Sequence, residues 1–143
     1  MSTDIVEPTR RILVVEARSE WLEGVARELA RVFLSLRSAT TENQSLRILK
    51  SERPSLALVA ADEPRLGGLN LVRRMHLIAE NLPVVLIGGR YDRHWLEEAL
   101  RLKALTILPR PVSKVTVIET VIKALKVGSP VKTPGWFGGA SAN

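Results

Sequence analysis

Five short apolar runs, each followed within a few residues by a stretch of helical periodicity, constrain this chain more than any single motif. They are Arg11 to Val15 (RILVV), Leu34 to Ala39 (LSLRSA), Leu56 to Ala60 (LALVA), Val84 to Gly89 (VVLIGG) and Ala104 to Leu108 (ALTIL). Runs this short and this rich in Val, Ile and Leu suit strands that are covered on both faces. Strand and helix in strict alternation, with short connections, predict a parallel sheet between two layers of helices. The second run is interrupted by Ser35, Arg37 and Ser38, which places it near an edge.

The helical stretches carry their own start and stop signals. Ser19 is the expected N-cap of the first, with Glu20 and Glu23 in its first turn and Leu22, Val25, Ala26, Leu29 and Phe33 on one face. Thr41 and Gln44 have capping-box spacing, opening a second helix that buries Ser45, Leu46 and Leu49 and ends before Pro54. The third turns Leu71, Val72, Met75 and Ile78 inward, and Pro83 ends its segment. Asp92 caps a fourth, HWLEEALRLK, and Ser113 caps a fifth that runs to about Lys126.

At 143 residues the chain has the length of one ordinary domain. We expect a leader over residues 1–9, a domain over 10–126 and a tail over 127–143, the last rich in Gly, Pro and Ser. The absence of cysteine excludes disulfides, thiolate metal sites and a cysteine nucleophile. His76 and His94 are too far apart for zinc-ligand spacing. No apolar run approaches the roughly 18 residues of a membrane span, and the leader has no secretory core, so a soluble, cytoplasmic protein without membrane insertion is expected. A formal net charge of +6 is spread along the chain rather than massed, so nucleic acid is not the expected partner.

In open parallel sheets, sites gather at the carboxyl ends of the strands. No glycine follows the first strand in EARSEW, and no GxxxxGK[ST] loop occurs, so two large nucleotide-binding classes are excluded. The words RILVVEA, PSLALVAADEPRLGGLNLVRRM, PVVLIGG and ALTILPRP follow one another along the chain. Over roughly Arg10 to Lys126 the chain resembles the receiver domain of bacterial response regulators. That resemblance implies a flavodoxin-like, doubly wound sheet of five parallel strands, order 2-1-3-4-5, with helices on both faces.

The resemblance also implies a site: a nucleophilic aspartate ending the third strand, an acidic pair after the first that helps hold Mg²⁺, a hydroxyl residue ending the fourth, and a lysine before the proline after the fifth. The residues at these positions are Ala60, Glu16-Ala17, Gly88 and Arg110. Alanine accepts no phosphoryl group and a lone carboxylate is a poor Mg²⁺ site, so no phosphotransfer, metal or cofactor is expected. Glu16 is expected to pair with Arg110. Asp62 and Glu63, displaced into the loop, are expected to be solvated or to cap a helix. The aromatic switch position of the family's fifth strand is Ile107.

The chain is thus read as a degenerate, or pseudo, receiver: a protein-interaction module in signal transduction, not an enzyme, with output through a partner or self-association. Tyr91, His94, Trp95, Leu102 and Ile107 are its candidate interface, on the surface of fourth helix, fifth strand and fifth helix that the family uses for partners and dimers. Arg18, Arg65, Arg90 and Arg110 form a candidate anion rim, the basis of an alternative reading as a sensor of anionic or nucleotide-type ligands. Trp136 and Phe137, between Pro134-Gly135 and Gly138-Gly139, are a candidate aromatic anchor in the tail.

Overall fold

The computed structural model describes residues 10–17 and 20–127. The leader, Arg18, Ser19 and the tail with Trp136 and Phe137 lie outside the described residues, and so do the expectations placed on them. In chain order the elements are β1 (Arg10–Val15), α1 (Leu22–Ala30), β2 (Leu34–Ala39), α2 (Glu42–Glu52), β3 (Leu56–Ala60), α3 (Gly68–Ile78), β4 (Val84–Ile87), α4 (Arg93–Arg101), β5 (Thr106–Leu108) and α5 (Lys114–Val127). All strand pairs are parallel, as the alternation of elements predicts, and the order is β2-β1-β3-β4-β5, as the family resemblance implies.

Alternation along each strand sorts its side chains onto two faces. Ile12, Val14, Leu56, Leu58, Val85 and Ile87 pack with Val25 and Leu29 of α1 and Val117 and Val121 of α5. Leu13, Val15, Ala57, Val59, Val84 and Leu86 face the other way, toward Leu49 of α2, Leu71 and Met75 of α3, and Ala99 of α4. Every residue of β3 is buried because this strand is central and covered on both faces. β2 and β5, at the edges, keep half-buried and exposed positions.

The caps act as expected where they are described. The Thr41 hydroxyl accepts from the Gln44 N–H at 3.1 Å, and the Gln44 side chain accepts from the Thr40 N–H at 2.9 Å. Asp92 accepts from the Trp95 N–H at 2.9 Å, and Ser113 from the Thr116 N–H at 3.1 Å.

Four expectations need correction. α1 ends at Ala30, and Phe33, at φ +64°, turns out of the helix and is 63% exposed. Ile78 is the last residue of α3 and is exposed, while Ile48, which the helical pattern of α2 had not been credited with, is buried. β4 stops at Ile87 because Gly88, at φ +73°, leaves the extended region. β5 begins only at Thr106, since Lys103 at φ +62° is still turning the chain out of α4.

Candidate functional site

The loops that follow β1, β3, β4 and β5 meet at the carboxyl edge of the sheet. Glu16 stands directly after β1, its N–H donating to the Ala39 carbonyl at 3.1 Å and its side chain buried. Ala60 closes β3, fully buried, and the next N–H, of Ala61, donates to Ile87 at 2.8 Å. The Gly88 N–H donates to Leu108 at 2.8 Å. Arg110 lies in the turn after β5 and precedes a cis peptide bond to Pro111. Ladder bonds thus hold the four strand ends close enough for one long side chain to cross them.

Arg110 is that side chain. Its Nη2 donates to Glu16 Oε1 at 3.0 Å, the ion pair expected from the sequence. It also donates to Asp62 through two nitrogens, from Nε to Oδ2 at 2.7 Å and from Nη2 to Oδ1 at 3.2 Å. Paired donation to one carboxylate is the strongest form such a contact takes, and it suits the planar guanidinium alone. The hydrogen bonds from Asp62, and then from Glu16, raise the Arg110 pKa above its ordinary value, so the charge is permanent.

Asp62 is exposed, as expected of a solvated loop residue, but it also carries a role that was not expected, as the paired acceptor of Arg110. Its carboxylate turns inward because Gly88 leaves the space: a Cβ on Gly88 would stand 2.9 Å from Oδ1 and closer still to Cγ and Oδ2. The signal available in the sequence is an acid two residues beyond β3 opposite a glycine at the end of β4. It was missed because only the three-dimensional register puts those positions against each other.

The arginine rim is also different from its expectation. Arg65 lies 3.5 Å from Glu63, and Arg90 lies 3.5 Å from Asp92, both arginines largely in solvent. Arg18 is outside the described residues. Of the three that are described, Arg110 alone points into the site, and carboxylates occupy it.

Glu16, Ala17, Asp62, Glu63 and Arg110 line a cleft of about 150 Å³. The residues do not fit the Mg²⁺ that the fold family implies. Both Asp62 carboxylate oxygens and one of Glu16 are already accepting from a cation, and Ala60 supplies no side-chain oxygen, whereas Mg²⁺ demands a near-octahedral oxygen shell. Glu16 Oε2 has no hydrogen-bonding partner among the described residues and is buried. No group of three or more His, Asp or Glu side chains among the described residues is placed to hold a metal.

The candidate interface divides. Trp95, expected on it, is 7% exposed and belongs to the core on the α2, α3 and α4 side. Its ring lies over Gly89, where a Cβ would come within 2.7 Å of Cζ2 and closer to Cη2, and it packs tilted against Tyr91 with centroids 5.7 Å apart. Leu102 and Ile107 are half-buried and pack against the same core. Tyr91 and His94 are exposed, as are Leu96 and, at 75%, Leu100. The apolar surface of α4 that faces solvent is thus the i, i+4 pair Leu96 and Leu100, which lies outside the candidate interface.

The whole arrangement matches the response regulator receiver domain family over residues 12–122, and the chain belongs to that family. It is 30% identical over 90 residues to sporulation initiation phosphotransferase F of Bacillus subtilis, covering 63% of this chain and 69% of that protein. It is 26% identical over 132 residues to response regulator MprA of Mycolicibacterium vanbaalenii, where 92% of this chain spans 55% of the relative. Among solved structures, a CheY-like receiver domain protein from Methanospirillum hungatei matches with a TM-score of 0.71 at 21% identity, covering 81% of this chain and 93% of that one. Chemotaxis protein CheY4 of Vibrio cholerae matches with 0.70 at 14% identity, covering 80% and 98%. Likeness at such identities concerns the fold, which is flavodoxin-like as expected.

Proposed function

We propose that this receiver domain works without phosphotransfer, as a protein-interaction module of a signalling pathway in the cytoplasm. The observation that carries the reading is the residue at the end of β3: Ala60 has no group to phosphorylate, and the Arg110 guanidinium is held across the same site by Asp62 and Glu16. Loss of the nucleophile, of one acidic partner at Ala17, of the hydroxyl at Gly88 and of the lysine at Arg110 together removes the chemistry while the framework stays. We place the working domain at residues 10–126, between a leader at 1–9 and a tail at 127–143. The matched stretch falls inside it.

The partner surface in this reading is α4, with Tyr91, His94, Leu96 and Leu100 facing out. A second copy of the chain is an alternative occupant of that face. The anion-sensor alternative has less to rest on, because Arg65 and Arg90 each have an acid at ion-pair distance and Arg110 is engaged on two sides. The test is an NMR titration of the full chain with Mg²⁺ and beryllofluoride, the phosphoryl mimic. No shifts localised around Ala60 are expected. Saturable shifts in the loops after β1, β3 and β5 would overturn the reading.

A further inference from the structure

We propose that the Arg110 guanidinium is the resident cation of this site, locking the loops after β1, β3 and β5 together without metal, and that Gly88 is the residue that permits it. This rests on the reading of the site as one that does not take a phosphoryl group. The cleft is lined by Glu16, Asp62, Glu63 and Arg110; Glu63 has Arg65 at ion-pair distance, which leaves Glu16 and Asp62 facing each other across the Arg110 guanidinium. Carboxylates brought together repel one another unless a cation sits between them. Arg110 supplies that charge covalently. Its partners are 94 and 48 residues away in sequence, so the contacts add side-chain ties between loops that the strand ladders already bring together.

Gly88 and the inward Asp62 are one feature rather than two. A Cβ at position 88 would meet all three atoms of the Asp62 carboxylate group within 2.9 Å, against backbone already at φ +73°. Any side chain there expels Asp62, and with it the paired donation from Arg110. A lysine at position 110 would bring the charge but not the fork that engages Asp62 through two nitrogens while reaching Glu16. Two of the residue changes that remove the family's chemistry, at positions 88 and 110, are therefore the ones that build an internal replacement for the cation it needs.

The test uses the full chain and reads thermal unfolding in chelator and in excess Mg²⁺. The native sequence is expected to melt at the same temperature in both. Arg110→Ala leaves the carboxylates facing one another; its midpoint should fall by about 4 °C or more in chelator and recover in part with Mg²⁺. A native protein that gains as much from Mg²⁺, an unchanged Arg110→Ala midpoint, or a loss that Mg²⁺ does not touch would each overturn the proposal. Should Arg110→Ala fail to fold, a cycle between Gly88→Ala and Asp62→Ala decides it. Gly88→Ala should cost markedly less when Asp62 is already alanine, because the clash is gone while the backbone cost remains. Additive costs would refute the coupling. None of these readouts involves beryllofluoride, so the lock and the phosphotransfer-free function fail separately.

Discussion

Trp95→Ala is the substitution whose outcome the structure redefines most. Read from the sequence, it probes an interface; read from the structure, it opens a hole in the core. The side chain is 7% exposed and packs with Ala99 of its own helix, beneath Gly89. An aromatic buried this far removes about 150–250 Å² from water. At about 25 cal/mol per Å² that is worth roughly 4–6 kcal/mol, and measured Trp→Ala losses in cores run about 3–5 kcal/mol. We take about 3–4 kcal/mol, because a helix with one face in solvent can partly collapse into the space.

Against a total stability of about 5–15 kcal/mol for a domain, the variant should still fold. Urea unfolding followed by circular dichroism should show a lower midpoint with an unchanged slope. The thermal midpoint should fall by about 10 °C. A loss below about 1 kcal/mol would refute the placement of Trp95 in the core. Gly89→Ala supplies the internal control. Its Cβ would meet the ring, so it should cost about 1–3 kcal/mol in the native sequence and much less beside Trp95→Ala.

Two further outcomes follow from the surface. Leu100→Glu, at a position 75% exposed, should change stability by less than about 0.5 kcal/mol yet weaken association with a captured partner at least tenfold, measured by calorimetry or sedimentation; an unchanged affinity would remove α4 from the interface. The hydrogen bond from Arg73 holds the Glu98 carboxyl below its ordinary pKa, with further help from the charge of Arg73 and Arg101. A folded-state pKa that is depressed stabilises above the unfolded value, about 4.3, and that contribution disappears as pH falls through the lowered one. Glu98→Gln should therefore flatten the acid limb of the stability profile, and an unaltered limb would show that the Arg73 contact has no weight in solution.

The fold was readable because its information is local. Leu56 to Ala60 is apolar throughout, and its strand boundaries follow from the residues themselves, as do the caps at Thr41, Asp92 and Ser113. Phe33 and Ile78 were misplaced for a local reason too: both continue the apolar period of a helix just where the backbone departs from it or ends. Periodicity reports which face a residue would share if the helix went on. It does not report that the helix stops.

The site was readable only where one residue type carries the meaning by itself. That Ala60 takes no phosphoryl group needs no structure, and the Glu16–Arg110 pair followed from two opposite charges at strand ends that the family resemblance assigns to one site. Asp62 was different, since its role depends on an absence elsewhere: without the empty volume at Gly88 it belongs in solvent, and with that volume it becomes the stronger partner of Arg110. Gly88, read from sequence as a missing hydroxyl, is a loss only when it is considered alone. Considered with Asp62 it is a steric permission, and this is why the substitutions at the strand ends form a mutually dependent set. Restoring a hydroxyl residue at position 88 by itself would not return the chain toward phosphotransfer, because it would displace Asp62 before it gained any ligand to contact.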